Sequence, residues 1–385
     1  MKIFGYNLSK NIPNISEPET ISYSPDAVSG FALSQWTDLP TIKEDRNSEF
    51  VKYGSNNMYP AYLKDMFNTS PTHQAIIKTK ASMISGDGYT VKWDHLNEAE
   101  KVNALKIIDD IIRDMSDTAL DQQLYGAYIY EIIWSLDFTK VVEVNRLDPS
   151  TIRSGKFKEG YVEEYFYSRD WSASRPEIVT IATLDLKNKQ DHRQILYVPM
   201  QMVSNEYYGE PSYLASMDWI GLESQTGLYY RSLIENGFNP SVIIKFFRKP
   251  GSLEERAAIV DGLRRSFGGV KNSGKAVVLF SDGKELAPEI TPIDVASVDK
   301  QFTVIASQIV TKILTGGRVT TPELFGISEA GSLGTSDFGI KIQAFERFVI
   351  RPDQIHLERT INKILSLNGF DVKFEFNRLK INPNA

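Results

Sequence analysis

Apolar residues recur with a helical period in two stretches of the first half of the chain. Ser70 and Pro71 have the residue types of a helix start, and Gly86 lies after the apolar face that follows them. A second helix is predicted to begin at Asn97, because Asn97 and Glu100 form a capping-box pattern. Both stretches are predicted to form amphipathic helices. The face of the second consists of Val102, Leu105, Ile108, Ile111, Ile112 and Met115.

From Ala127 the pattern becomes that of β-strands. Five runs rich in β-branched and aromatic residues are separated by turn residues, which predicts a largely antiparallel sheet. Together with the helices before them, these runs predict one α+β domain over about residues 50–210. The runs are AYIYEIIW, KVVEVNRL, YVEEYFYS, IVTIATLDL and RQILYVPM.

The second half of the chain returns to helical periods. A helix is predicted after Gly209-Glu210-Pro211, and a small αβ unit of about sixty residues follows it. Next comes an amphipathic helix over 298–314, which is predicted to bury one face. Its apolar stripe is formed by Val298, Phe302, Ile305, Ile309 and Ile313. Polar residues that lie mainly off the stripe include Lys300, Ser307, Thr311 and Lys312.

A loop of about twenty residues, TGGRVTTPELFGISEAGSLGTS, separates this helix from the next. Helix connections in compact domains have about two to eight residues, so a loop of this length indicates a functional or a disordered segment. Gly316 and Gly317 permit unusual backbone dihedral angles. Arg318 is the only cation between Lys312 and Lys341. The loop is therefore predicted to move.

The helix after the loop is broken in its middle by Arg351-Pro352. Proline lacks an N–H and clashes with the preceding helical turn, so Pro352 predicts a kink. Beyond Gly369, the alternation in DVKFEFN predicts one short strand.

The composition is that of an ordinary globular protein of 385 residues, with 42% hydrophobic and 24% charged residues. No cysteine is present, which excludes disulfides and thiolate metal sites. No apolar run approaches the ~20 residues that span a bilayer, and the N-terminus lacks the apolar region of a signal peptide. We therefore expect a soluble protein that is made in a reducing cytoplasm and has no membrane contact.

The formal net charge of −6 argues against a protein that reads DNA sequence, because such proteins carry a strong basic footprint. It is compatible with a protein that surrounds DNA without gripping it, since phosphate contacts would bind the duplex tightly. The four histidines have no metal-type spacing, and no nucleophile motif is present. The residues therefore predict no enzyme, no cofactor and no metal site.

The segment Gly269–Lys275 fits most of a phosphate-binding P-loop, G-x-x-x-x-G-K, but the next residue is Ala276 instead of Ser or Thr. The segment also follows a predicted helix and precedes a predicted strand, whereas a P-loop follows a strand and opens a helix. A glycine-rich turn explains it better, and a nucleotide-binding enzyme that uses this loop stays the alternative. Nearby cations form either a solvated face or a docking surface: Arg264, Arg265, Lys271 and Lys275.

Several segments in a fixed order carry a resemblance to a known family. They are YYGEPSYL, NGFNPSVIIKF, NSGKAVVLFSDG, VDKQFTVIASQIVTKIL, RVTTPELFG and FERFVIRPDQIHLERTINKIL. Over about residues 58–376, and most closely over 207–366, the chain resembles the portal proteins of tailed bacteriophages, of the siphophage type. Those proteins form the ring through which genomic DNA enters and leaves the capsid. The resemblance implies a portal-like α+β fold and a ring oligomer.

The resemblance also implies a division of the chain into parts. An extended N-terminal arm would occupy residues 1–50 and an α+β wing residues 51–211. The parts that follow would be a stem helix at 212–236, a small αβ clip at 237–296, a second stem helix at 297–315, a tunnel loop at 316–336, a kinked tunnel helix at 337–367, and a short strand with a minimal crown at 368–385.

Each part receives candidate site residues from the same resemblance. Pro352 would kink the tunnel helix. The clip would dock partners through Arg264, Arg265, Lys271 and Lys275. The stem would line the channel with Lys300, Ser307, Thr311 and Lys312, and the tunnel loop would present Gly316, Gly317, Arg318, Thr320 and Thr321 to DNA.

In function, the resemblance implies a non-enzymatic ring of twelve subunits at one capsid vertex, for the packaging and ejection of double-stranded DNA. The DNA would pass non-specifically, and the protein partners would be the terminase large subunit, a head–tail adaptor, the major capsid protein and scaffold. The ring would be assembled in the host bacterial cytoplasm and located in the virion. Another structural or scaffold component of the head is a further alternative.

Overall fold

The structure is a computed structural model, and it describes residues 2–3, 6–7, 42–93, 95–186, 191–235, 242–245, 289–292, 296–320, 322–326 and 338–378. The chain divides into two units, Met1–Asp38 and Leu39–Ala385. In the first unit, the described residues are β1 (Lys2–Ile3) and β2 (Tyr6–Asn7), which pair antiparallel. The elements below belong to the second unit.

Four helices precede the main sheet, and their predicted caps are confirmed. The Ser70 hydroxyl accepts a hydrogen bond from the backbone N–H of His73 at 3.2 Å, and Asn97 and Glu100 form a complete capping box. The helix α2 is contacted by α1 and α4. The helices are α1 (Tyr59–Thr69), α2 (Pro71–Ser85), α3 (Glu98–Arg113) and α4 (Met115–Tyr125).

The buried face of α3 differs from the predicted stripe. The residues that it buries are centred on Ile107, Ile108 and Ile111, and the helix packs against the sheet through them. Val102 and Leu105 are 65% and 39% exposed. At 100° per residue, Leu105 is turned by about 110° and Val102 by about 170° from the centre of the face formed by Ala104, Ile107, Ile108 and Ile111, so both lie outside it.

The main sheet has six strands in the order β5-β4-β11-β10-β9-β6. All neighbours pair antiparallel except β10 and β11, which are parallel, so the predicted largely antiparallel sheet is confirmed. The helix α3 contacts β5, and α4 contacts β4. The strands are β4 (Ala127–Trp134), β5 (Val141–Leu147), β6 (Ile152–Ser154), β9 (Glu164–Tyr167), β10 (Val179–Thr183) and β11 (Arg193–Pro199), and a small hairpin pairs β7 (Phe157–Lys158) with β8 (Tyr161–Val162).

The C-terminal end of the described chain pairs with a strand that follows the first two helices. The predicted C-terminal strand is present as β14 (Val372–Phe376), and it pairs antiparallel with β3 (Tyr89–Trp93), which directly follows α2. Asn362 fixes this strand by accepting from the backbone N–H of Phe374 at 2.8 Å. The sequence analysis did not assign β3.

The helices described in the second half are α5 (Met217–Glu235), α6 (Ala296–Gly316), α7 (Phe338–Phe345) and α8 (Arg351–Ser366). A 3₁₀ turn, Leu214–Ser216, precedes α5, so this helix begins about five residues later than predicted. The pair α5 and α6 packs together, and α6 also packs on α2. Each helix in the described part of the chain is too short or too polar to span a membrane.

Between α5 and α6, the described strands are β12 (Val242–Lys245) and β13 (Glu289–Pro292), which pair antiparallel. The strand predicted at SVIIKFF is therefore present. The helix and the second strand that the sequence predicts for this insert lie outside the described residues.

Candidate functional site

The segment before α5 crosses the start of β4 at very short range. A Cβ atom on Gly209 would lie 2.2 Å from the carbonyl oxygen of Gly126, and a Cβ atom on Gly126 would lie 2.2 Å from the carbonyl oxygen of Glu210. Any side chain at either glycine would therefore clash with a peptide group. The glycine of YYGEPSYL is explained by this crossing, for which the sequence analysis had no signal.

The residues around Gly209 fasten the crossing with hydrogen bonds. The Tyr208 hydroxyl accepts from the backbone N–H of Ser154 at 3.0 Å, and the Tyr213 hydroxyl donates to the carbonyl of Leu124 at 2.7 Å. The carboxylate of Glu210 accepts from the backbone N–H and the hydroxyl of Ser204 at 2.7 and 2.6 Å. Both tyrosines are buried, so these bonds are protected from water. They hold the segment before α5 against strand β6 and helix α4.

The carboxylate of Glu223, on α5, binds the N-terminus of α2. It accepts from the hydroxyls of Ser70 and Thr72, the latter at 2.5 Å, and from the backbone N–H of Thr72 at 3.3 Å. Unpaired N–H groups and the helix dipole favour a negative charge at this place. Glu223 thus joins α5 to α2 at a second point, one that the sequence analysis missed because no local pattern relates residues 151 positions apart.

The C-terminus of α6 rests on the 3₁₀ turn before α5. A Cβ atom on Gly316 would lie 1.7 Å from the Oγ atom of Ser216, and the Ser216 hydroxyl donates to the carbonyl of Lys312 at 3.2 Å. A Cβ atom on Gly317 would meet the side chain of Ile76 at 3.0 Å. The start of α5 and the end of α6 therefore meet at Ser216.

This anchor corrects the predicted role of the two glycines. Gly316 is the last residue of α6 and Gly317 is buried, so neither lies in an open loop. Neither is among the glycines with positive φ. Glycine is present here because the backbone approaches Ser216 and Ile76 closely, and the unusual backbone dihedral angles expected at these two residues are absent.

The predicted channel face of α6 is exposed in the single chain. Ser307, Thr311 and Lys312 are all exposed, and Lys300 lies in the helix but its side chain is outside the described residues. The hydroxyls of Ser307 and Thr311 donate to the carbonyls of Val304 and Ser307 at 2.8 and 2.9 Å. The protons of these two hydroxyls are used within the helix, so the exposed Lys312 is the described cation of this face.

The apolar stripe of α6 drifts around the helix. Ile309 and Ile313 are buried as predicted, but Ile305 is 41% exposed. Residues spaced by four are displaced by about 40° around an α-helix at each step. Ile305 therefore falls at the margin of the buried face, which corrects its predicted place in the stripe.

Arg318 follows α6 with a positive φ of 57° and an exposed side chain. Its guanidinium nitrogen Nη2 donates to the backbone carbonyl of Phe348 at 3.1 Å, thirty residues later in the chain. Thr320 is exposed, and Thr321 lies outside the described residues. That Arg318 and Thr320 face DNA stays a prediction.

Part of the predicted loop is packed. Pro322–Phe325 forms a 3₁₀ turn, and Phe325 is 6% exposed. Its ring meets that of Phe345 on α7 edge to face, with centroids 5.5 Å apart. An aromatic contact therefore packs this turn against the next helix, and the prediction that the loop moves stays a prediction.

Pro352 lies in the first turn of α8, directly after a π-helical turn, Glu346–Ile350. The backbone N–H of Arg351 donates to the carbonyl of Glu346, five residues earlier, and Arg351 keeps right-handed helical angles. The interruption predicted at Pro352 therefore takes the form of a π-helical turn on its N-terminal side. Missing backbone donors and π turns are both known causes of helix bending.

Buried ionisable groups surround this turn. Burial lowers the pKa of Lys80, on α2, to about 8, although Asp353 raises it. Burial raises the pKa of Asp353, and a hydrogen bond from Gln123 at 2.9 Å opposes that shift. Arg318 acts electrostatically on both groups, so α2, α4, α8 and the end of α6 meet in one polar joint.

Other predicted site residues lie outside the described residues. These are the clip cations Arg264, Arg265, Lys271 and Lys275, together with the whole Gly269–Lys275 motif. Among the described residues, no group of histidine, aspartate and glutamate side chains is arranged to hold a metal ion.

Compared by sequence, the chain matches no family model and no curated protein. Its structure resembles a chain from the neck of the empty gene transfer agent particle, computed with C6 symmetry. The TM-score is 0.57 at 14% identity, and 84% of this chain and 85% of that chain are covered. The neck of the native particle, computed with C12 symmetry, gives a TM-score of 0.55 at 14% identity over 84% of each chain.

An HK97 family phage portal protein from Corynebacterium diphtheriae aligns at a TM-score of 0.49 and 12% identity, over 81% of this chain and 93% of that chain. At identities this low, the likenesses concern the fold. The predicted α+β fold of the portal type is confirmed, and it is the fold that this chain shares with a chain from the neck of gene transfer agent particles.

Proposed function

We propose that this chain is the subunit of a portal ring that surrounds double-stranded DNA at one vertex of a capsid. The observation that carries the proposal is the fold shared with a neck chain of gene transfer agent particles over 84% of this chain. Those necks were computed with C6 and C12 symmetry, and we propose a ring of twelve copies here. Head-to-tail contacts generate such a ring when the rotation closes.

In the proposed ring, α5 and α6 form the stem, and the polar face of α6 lines the channel. Ser307 and Thr311 direct their hydroxyl protons to their own helix, at 2.8 and 2.9 Å. Of the four residues assigned to this face, only Lys300 and Lys312 therefore bring cations towards the phosphates. Because each cationic contact to a phosphate adds salt-dependent affinity, a channel with few such contacts lets the duplex slide. The net charge of −6 is compatible with this role.

The remaining parts follow the predicted division. Residues 51–211 would be the wing, 237–296 the clip, 316–336 the tunnel loop and 337–367 the tunnel helix. The terminase large subunit and a head–tail adaptor would dock on the ring during packaging and ejection, and the major capsid protein and scaffold would surround it. The ring would be assembled in the host bacterial cytoplasm and kept in the virion.

The first test is the mass and symmetry of the purified particle, by native mass spectrometry and electron-microscope class averages. We expect twelve copies of the 43.5 kDa chain, about 520 kDa, around a central hole as wide as a duplex. A thirteen-fold ring would support the same contact, in an assembly formed away from the capsid. A stable monomer or dimer in all conditions would overturn the proposal.

A second test places cations on the proposed channel face. Ser307→Arg with Thr311→Arg adds two guanidinium groups per subunit, so the variant ring should hold DNA strongly at 50 mM salt. Retention should fall by about a thousandfold or more at 200 mM, because many phosphate contacts are screened together. Filter retention of a linear duplex measures this.

The matched control is Ala99→Arg with Asn103→Arg, which adds the same pair at the same spacing on the exposed side of α3. It should bind DNA much more weakly than the α6 variant. Equal retention by the two variants would contradict the assignment of the α6 face to the channel.

A further inference from the structure

The end of α6 has an unusual residue in its left-handed position. The N–H of Val319 donates to the carbonyl of Leu314 at 2.9 Å, and the N–H of Arg318 donates to that of Thr315 at 3.0 Å. These two bonds are the Schellman motif that closes many helices, and its left-handed residue is usually glycine. Here that residue is Arg318, with a φ of 57°.

The glycines that precede it are used elsewhere. Gly316 and Gly317 occupy positions where a Cβ would strike Ser216 and Ile76, so the glycine-rich sequence does not supply the left-handed residue. An arginine in this conformation costs free energy that glycine would not cost. A non-glycine residue held in a strained backbone conformation indicates that its side chain has a structural or functional role.

The hydrogen-bond acceptor of the Arg318 side chain indicates what that role is. Phe348 lies in the π-helical turn, and α-helical spacing resumes at Arg351. With that resumed spacing, the carbonyl of residue 348 would accept from the N–H of residue 352. Residue 352 is Pro352, which has no N–H, so the carbonyl of Phe348 loses its α-helical donor. The guanidinium of Arg318 donates to that same carbonyl at 3.1 Å.

We propose that Arg318 is a positioning residue that replaces the donor missing at Pro352, and so fixes the end of α6 to the break between α7 and α8. The bond joins the two ends of the segment 319–347. It therefore closes the base of this loop, independently of what the loop contacts. The inference rests on the proposed function only in placing that loop at the DNA channel.

Packing around the bond supports a defined geometry. Arg318 is within electrostatic reach of Lys80 and Asp353, which belong to α2 and α8. Phe325 and Phe345 pack edge to face inside the closed segment. The base of the loop is thus held by a hydrogen bond from Arg318, by its attraction to Asp353 and by an aromatic contact.

The test is a double-mutant cycle of Arg318→Ala and Pro352→Ala, followed by hydrogen exchange of peptides within 345–357. Alanine has the same left-handed strain as arginine, so Arg318→Ala leaves the backbone strain unchanged and removes the side-chain bond together with the charge near Lys80 and Asp353. The Pro352→Ala background separates these two losses, because only the bond depends on the missing N–H. We expect a roughly three- to tenfold rise in exchange rate in this region. In the Pro352→Ala background, the restored N–H serves the Phe348 carbonyl itself, so Arg318→Ala should change the rate by less than about twofold.

Arg318→Gly gives a second and opposite signature. Glycine relieves the left-handed strain, so exchange at the end of α6, residues 312–320, should slow or stay unchanged. Exchange in 345–357 should still rise, because the donor is lost. If the Arg318 side chain had no structural role, Arg318→Gly would slow hydrogen exchange in both regions, 312–320 and 345–357.

The matched control is Arg359→Ala, which removes an exposed arginine from α8 and should leave exchange in 345–357 within about twofold. Equal effects of Arg318→Ala with and without Pro352, or no effect in either background, would overturn the proposal. The readout uses the full chain in whatever assembly it forms and needs no DNA. A failure here is therefore distinguishable from a failure of the portal proposal, which the particle symmetry decides.

Discussion

The two helices of the α5/α6 pair are fixed to the molecule by two different kinds of glycine contact. Before α5, Gly209 and Gly126 bring two peptide groups together, and an added Cβ would lie 2.2 Å from a backbone carbonyl oxygen. At the end of α6, the atoms that an added Cβ on Gly316 would meet first belong to the side chain of Ser216. A backbone obstacle has no simple way to yield, whereas a side-chain obstacle is removed by changing one residue.

This difference has a functional meaning within the proposed ring. The crossing before α5 forms part of the sheet domain, since Tyr208 and Tyr213 tie it to Ser154 and Leu124. The contact at the end of α6 is made to one short 3₁₀ turn and to Ile76. We therefore expect the crossing before α5 to tolerate an added side chain less than the end of α6 does.

The largest effect should follow from Gly209→Ala. The new methyl would be forced against the carbonyl of Gly126, so the free energy of unfolding should fall by about 4 kcal/mol or more, with loss of soluble protein at moderate temperature. Thermal unfolding measures it. The matched control is Gly227→Ala, in the exposed middle of α5 with no atom near its Cβ, which should stabilise by about 0.5–1 kcal/mol. Tolerance of Gly209→Ala would mean that the crossing is loose.

A smaller and reversible effect is expected for Gly316→Ala. Its Cβ would lie 1.7 Å from Oγ and 2.7 Å from Cβ of Ser216, so we expect a loss of about 2 kcal/mol from overpacking. Ser216→Gly removes both obstructing atoms and should restore most of that loss in the double variant. Unfolding midpoints of the two single variants and the double variant measure the coupling. Additive effects would show that Ser216 is not the obstacle. They would also contradict the difference proposed between the crossing before α5 and the contact at the end of α6.

Local patterns predicted the elements of this fold well, because each depends on neighbours in sequence. The capping box at Asn97 and the strand runs from Ala127 are patterns of this kind, and both are present. The stripe of α6 was predicted in its centre and missed at Ile305, where the drift around the helix decides burial.

The joints between elements were not predictable in the same way. Glu223 caps a helix 151 residues earlier in the chain, and Arg318 serves a carbonyl thirty residues later. A pair of glycines looks the same in sequence whether it permits unusual dihedral angles or a close approach of the backbone. In the structure, Gly316 and Gly317 permit a close approach. A residue type specifies what a position permits, while the partner across the fold specifies why that residue is there.

The effect that is smallest at neutral pH concerns the pH dependence of the packing around His73 and Tyr213. His73, on α2, is buried and meets the ring of Tyr213 edge to face at 4.3 Å, just before the turn on which both helices are anchored. Burial, assisted by the charge of Lys80, lowers the pKa of His73 from 6.5 to about 3. The unfolded chain therefore binds one more proton than the folded chain between these values, so His73 makes stability fall as the pH falls through this window.

His73→Phe keeps an aromatic ring against Tyr213 and removes the titration. Its Nε2 atom has no hydrogen-bond partner within the described residues, so the substitution loses no bond at that atom. Relative to the wild type, the variant should gain up to about 1.4 kcal/mol per pH unit as the pH falls from 6 to 4, with no change above pH 7. Unfolding midpoints of both proteins at matched pH values measure the difference. Parallel curves would mean that the histidine is reached by water or protons in the folded chain, and that the root beneath α5 and α6 opens more readily than its packing indicates.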